Sequence, residues 1–121
     1  MIEIQRWLYD KLKTIGIPVY SDIPPNAKYP YIVIGKKTAV QGDTKMRDVE
    51  DVEYIYIYDE ASSFQNILNY VQAVMDMFNL SCGETEHYNI PLTTISGVNI
   101  DQNGRLKVAL ISVRMKIFRK E

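Results

Sequence analysis

The two most reactive side chains of this 121-residue sequence, Cys82 and His87, stand five positions apart, and each is the only residue of its type. A zinc site needs three or four protein ligands, so two residues cannot build one by themselves. A cysteine nucleophile with a histidine base is the other chemistry such a pair allows. The segment around them, Ser81-Cys82-Gly83-Glu84-Thr85-Glu86, is polar and reads as a loop. The expectation is therefore a loop thiol and a solvated imidazole. A second cluster consists of carboxylates: Asp48, Glu50, Asp51 and Glu53. Paired carboxylates hold Mg²⁺ or exchange protons. Strand alternation sets Asp51 and Glu53 on one face and Glu50 on the other, with no histidine or lysine in a fixed pattern beside them. A solvated strand start is expected, and a small metal-dependent nuclease using Asp51 and Glu53 is the enzymatic alternative. No G-x-S-x-G, P-loop or G-x-G-x-x-G run is present. No catalytic residue, metal or cofactor is expected, and the chain reads as a non-enzyme.

Two further groups point to binding instead. Arg114, Lys116, Arg119 and Lys120 gather on and just after the polar face of the last strand. They form either a phosphate-contacting stripe or a face that pairs with acidic residues of a neighbouring strand or subunit. The aromatic interleaving of a single-strand binder is missing, which favours pairing. Nine tyrosines in this length is a high count, and tyrosine is enriched at protein interfaces. The row Tyr54-Tyr56-Tyr58 is either core beneath a helix or a surface covered on assembly.

The bulk numbers bound these readings. The length suits one domain, 1–121, with enough burial for a core without staples. Net charge is −1 from 14 basic and 15 acidic residues, which disfavours generic nucleic-acid binding. A lone cysteine rules out an intrachain disulfide. The first residues, MIEIQRWLYDKLK, lack the basic start and continuous apolar run of a signal peptide. No stretch approaches a membrane span, so the chain is expected to fold in a cytoplasm with no membrane partner.

The elements that must position these groups follow from periodicity. Ile4, Trp7, Leu8, Lys11, Leu12 and Ile15 predict a helix over 2–14, stopped by Gly16 and Pro18. Val19-Tyr20-Ser21 is short and extended, and Asp22–Asn26 is a Pro-Pro turn. Residues 30–38 and 49–59 read as strands joined by a loop at 39–48 that is longer than usual for a hairpin. Both faces of 49–59 are apolar, so neither is expected to meet bulk water alone. Ser62 or Ser63 is expected to cap a helix running to about Leu80, with Phe64, Ile67, Leu68, Val71, Val74, Met75 and Phe78 at helical spacing. Residues 87–101 read as a strand broken at Pro91 and Gly97. Asn103-Gly104 marks a hairpin, and 106–119 is a long strand with Ala109, Ile111, Val113, Met115 and Ile117 facing one way. The order α-β-β-β-α-β-β predicts an α+β fold: a mostly antiparallel sheet with two helices packed on it.

One local string adds a resemblance. After the first helix come Val19-Tyr20, Ile23-Pro24-Pro25-Asn26-Ala27 and Tyr29-Pro30-Tyr31-Ile32-Val33-Ile34-Gly35. This run resembles a family of tail-completion proteins of long-tailed phages and prophages, also described as tail terminators or tail-to-head joining proteins. The similarity extends over essentially the whole chain, through the Phe64–Phe78 helix and a closing hairpin with Val113-Arg114-Met115. It departs at the polar 81–86 segment and in having its one tryptophan, Trp7, in the first helix. The resemblance implies a structural protein of the virion tail, assembled in the host cytoplasm. It implies a homo-oligomeric ring, usually a hexamer, that caps the tail tube, meets the head connector and lets DNA pass through its lumen. A head-closure or minor capsid adaptor is the alternative. A ring needs an interface that closes after a fixed rotation, and strand edges suit it. Residues 106–119 span about 45 Å if extended. Part of that hairpin, or of 50–58, is therefore expected to cross the interface. The expected interface residues are Asp43, Lys45, Arg47 and Asp48 from the long loop, Tyr54 and Tyr56, and Arg114 and Lys116.

Overall fold

The structure, a computed structural model, describes residues 2–35, 48–61 and 63–120. The first helix, α1 (Ile2–Leu12), carries Ile4, Leu8 and Leu12 on one buried stripe and ends in a 3₁₀ turn at Lys13–Ile15. Gly16, at φ 103°, closes it as expected of a left-handed cap. Strands β1 (Val19–Tyr20), β2 (Tyr31–Ile34) and β3 (Asp48–Asp59) follow. The Tyr29–Pro30 peptide bond before β2, whose isomer the sequence leaves open, is cis. Helix α2 spans Gln65–Phe78, and β4 (Ser81–Glu84), β5 (Tyr88–Asn103) and β6 (Leu106–Arg119) complete the chain.

The fold is α+β with two helices on a six-stranded sheet of order β1-β2-β3-β6-β5-β4. All pairs are antiparallel except β1 with β2. The core lies between the helices and one face of the sheet. Ile4, Leu8 and Leu12 of α1 and Ile67, Val71, Val74 and Phe78 of α2 meet Ile32, Ile34, Ile55, Ile57, Ala109, Ile111, Val113 and Ile117. Strand β6 alternates as its sequence predicts, with every odd residue from Lys107 to Ile117 buried. Asn103 pairs with Leu106 across a two-residue turn in which Gly104 has φ 63°, the hairpin that Asn-Gly signals.

Several local expectations are corrected. The 81–84 segment is not a loop but the edge strand β4, paired with β5. Trp7 packs against it: a Cβ on Gly83 would collide with the Trp7 ring at Cζ2, so only glycine lets the ring approach the strand this closely. Helix α2 starts after Phe64, whose side chain makes no capping bond, so Ser63 is not the cap; Ser62 lies outside the described residues. Within α2 the buried stripe excludes Phe64 and Leu68, which are exposed. Its end at Phe78 is set by Asn79, which is extended, and Leu80, at φ 53°. Strand β5 runs unbroken through Pro91 and Gly97, where the sequence predicts an interruption, and absorbs them as register shifts between Asn89 and Leu92 and between Ile95 and Gly97.

Helix α1 is also tied at its start. The His87 amide donates to Glu3 Oε2 at 2.8 Å, and His87 Nδ1 lies 2.9 Å from Glu3 Oε1. The Thr85 hydroxyl, then the His87 amide and ring, hold the Glu3 carboxyl down to about 2. The unfolded chain thus binds a proton at Glu3 more readily than the folded one. This contribution to stability is complete above about pH 4.5 and is lost as pH falls toward 2. In thermal melts, Glu3→Gln is expected to lower Tm at neutral pH, with the gap to wild type closing between pH 4.5 and 2. A gap that stays constant over that window would dismiss the tie.

Candidate functional site

The sheet face away from the helices carries the candidate site. Strand pleat sends alternate side chains to opposite faces. In β3, Asp51, Glu53, Ile55, Ile57 and Asp59 therefore turn under the helices, and Val52, Tyr54, Tyr56 and Tyr58 turn away. Directly opposed residues of antiparallel strands share a face. The register sets Tyr31 against Tyr58 and Val33 against Tyr56 on one side of β3. On its other side Leu110 stands against Tyr56, Ser112 against Tyr54, Arg114 against Val52 and Lys116 against Glu50. Four expected interface residues, Tyr54, Tyr56, Arg114 and Lys116, thus come together on one open surface of two central strands.

Aromatic rings pave one half of this surface. Tyr31 stacks on Tyr58 at 5.1 Å and on Tyr29 at 5.3 Å, and meets Tyr20 edge-on at 5.6 Å. Tyr56 extends the row from Tyr58 at 6.4 Å. These rings bury Tyr31 although no helix covers it. Burial first, and the neighbouring tyrosines second, push the Tyr31 and Tyr58 hydroxyls above the ordinary tyrosine range. They stay neutral at physiological pH, so the row presents uncharged amphipathic rings. Tyr54 is 41% exposed at its open end. Gly35 closes the 19–35 run here: its amide donates to the Tyr54 carbonyl at 2.7 Å. A Cβ at Gly35 would stand 3.1 Å from the Tyr56 ring. Of the two readings of the tyrosine row, core beneath a helix is overturned, because both helices lie on the other side.

Charge occupies the second half. Arg114 Nη1 lies 3.8 Å from Glu50 Oε1. Lys120 Nζ lies 2.8 Å from Glu84 Oε2 and holds that carboxyl below its usual range. Arg114 thus pairs with an acidic residue of the neighbouring strand β3, and Lys120, just beyond β6, with one of β4. Exposed pairs of this kind contribute little, so they pattern the surface rather than hold the fold.

The other sequence candidates separate. Asp51 and Glu53 are 5% and 1% exposed. They are not a solvated strand start, because their parity matches that of Ile55 and Ile57. Among the described residues no three His, Cys, Asp or Glu side chains are placed to hold a metal. Asp48 begins β3 rather than ending a loop. Asp43, Lys45 and Arg47 lie outside the described residues. Cys82 is exposed on β4, and His87 is engaged by Glu3 rather than merely solvated. The expectation that part of the closing hairpin or of 50–58 crosses an interface by its edge is corrected for β6. β6 is paired on both sides, with β3 from Lys107 to Phe118 and with β5 from Leu106 to Arg119, so its backbone groups are spent inside the sheet. β3 lies between β2 and β6, but β2 pairs only with Ile55–Tyr58, so among the described residues no strand pairs with 50–53 on that side. Tyr20, Tyr29 and Tyr31, which sequence reasoning did not assign to the surface, complete it. The alternation of Tyr31 and Val33 with buried Ile32 and Ile34 carries that signal.

Among the described residues no helix is long and apolar enough to cross a membrane. No protein-family model and no curated protein matches the sequence. The fold, however, is shared with solved structures. A protein from the virion of a native gene transfer agent particle superimposes with a TM-score of 0.71 at 14% identity, covering 89% of this chain and 84% of that one. A second solved protein, whose name carries no functional description, aligns with a TM-score of 0.55 at 12% identity, covering 99% of this chain and 92% of that one.

Proposed function

We propose that this chain is a non-enzymatic structural component of a phage-like particle, acting at the tail as a ring that terminates the tail tube and joins it to the head connector. The observation that carries the reading is the fold shared over 89% of the chain with a component of a gene transfer agent virion. The Val19–Gly35 run supports the finer assignment to tail completion, since its residues build the tyrosine surface. In this reading the helix-free face is the assembly surface. Large rings with few rotors supply contact area at low entropic cost, and the Glu50, Arg114 and Lys116 end fixes orientation by charge. The partners are copies of the chain, tail-tube protein and head-completion protein, with DNA only crossing the lumen.

The test combines light scattering with negative-stain images of the chain alone and with the tail-tube protein encoded beside its gene. Rings that cap tubes are expected. Tyr54→Lys with Arg114→Glu is expected to remove them while shifting stability by no more than about 1 kcal/mol, as surface changes do. Monomers alone over a broad concentration range, tube protein included, would sink the proposal.

A further inference from the structure

Among the described residues, the sheet leaves a long edge without a partner. Strand β4 pairs with β5 only between Asn89 and Thr93. The next amide, that of Ile95, is taken by Asn79 Oδ1 at 3.4 Å. From Gly97 to Asn103, β5 pairs with β6 alone among the described residues. Exposed edges are normally blunted by proline, lysine or inward charge. This stretch, Gly97-Val98-Asn99-Ile100-Asp101-Gln102-Asn103, holds no proline and no basic residue. Its helix-side residues are Val98, opposed to buried Ile111, Ile100, opposed to buried Ala109, and Gln102, opposed to buried Lys107. Ile100 packs against the core, whereas Val98 is 41% exposed at the rim.

We propose that this edge pairs with the same edge of a second copy, antiparallel about a two-fold axis at Asn99. The segment is self-complementary in that register. Val98 meets the second copy's Ile100 twice, which extends the apolar layer across the join. Asp101 meets Gly97, so no like charges face each other. Moving the axis to Ile100 leaves one apolar pair and sets Val98 against Gln102. A two-fold contact uses one patch on both copies and closes at two. A head-to-tail ring must use other surfaces, so this pairing stands or falls apart from the tail reading.

Sedimentation of the whole chain is expected to show a monomer–dimer equilibrium in the micromolar range. Val98→Lys should weaken it at least tenfold with an unchanged circular dichroism spectrum. In a Cys82→Ser background, Asn99→Cys should cross-link to a dimer with a short bismaleimide, while Lys13→Cys, far from the edge in sequence and exposed, should not. A strictly monomeric wild type overturns the proposal and leaves the edge to a strand of another protein. A dimer that Val98→Lys does not weaken, or in which Asn99→Cys does not link, overturns it as well.

Discussion

Phe78→Ala is expected to destabilise the fold by about 3–5 kcal/mol, the range for truncating a buried aromatic. Phe78 is buried where α2 faces the sheet and meets Trp7 edge-on at 5.9 Å, so it joins the two helices. Its loss leaves a cavity with Trp7 on one wall, and the surrounding strands cannot close it because their register is fixed by long ladders. A total stability of about 5–15 kcal/mol is usual for such a protein, so the variant would stand near the limit of folding. Denaturant titration followed by the fluorescence of Trp7, the one tryptophan, measures this directly. Phe78→Leu, which refills most of the volume, should cost clearly less. A loss under about 1 kcal/mol for the alanine variant would show that the helices are held elsewhere.

Lys107→Met should cost about 1.5–3 kcal/mol, the range for losing a hydrogen bond made by a charged group. Lys107 is 1% exposed on the helix side of β6. Its ammonium donates to the Ala61 carbonyl and lies 5.2 Å over the Phe64 ring, which explains why Phe64 lies on the surface at the start of α2. Across the ladder stands Asp59, itself buried, with an Oδ2 that has no hydrogen-bond partner among the described residues. Removing the cation leaves the Ala61 carbonyl without its donor and the buried Asp59 facing an uncharged side chain across the ladder. The double variant Lys107→Met with Asp59→Asn should recover part of the loss, since it removes the buried negative charge together with the cation on the facing residue. Equal losses in the single and double variants would mean that Lys107 acts independently of Asp59.

The legible parts of this chain are those in which one periodic signal dominates. The two-residue alternation of β6 buries what it predicts, and the 3.6-residue stripe of α2 does so at Ile67, Val71, Val74 and Phe78 though not at Phe64 or Leu68. The unread parts depend on partners distant in sequence. β4 is polar and contains glycine, and Trp7 of α1 packs against it at Gly83. The inward turn of Asp51 and Glu53 follows from parity with Ile55 and Ile57, yet their charge argued for solvent. Sheet order was also illegible: long amphipathic β6 looks like a free edge until β3 and β5 are seen on either side. For the candidate site, Tyr54, Tyr56, Arg114 and Lys116 could be named from composition and alternation. Their meeting on one face required the β3–β6 register.

That central position of β6 bears on how the protein is made. β6 comes after every strand with which it pairs, so during synthesis β3 emerges long before the neighbour that completes it. Until β6 leaves the ribosome, the helices can form but the sheet exists only in halves, and the β3 edge stands open to wrong partners. Pairings so far apart in sequence fold slowly. A stop codon within β6 would therefore break both central ladders at once, and the nascent chain would be a client for chaperones rather than a shortened version of the same fold.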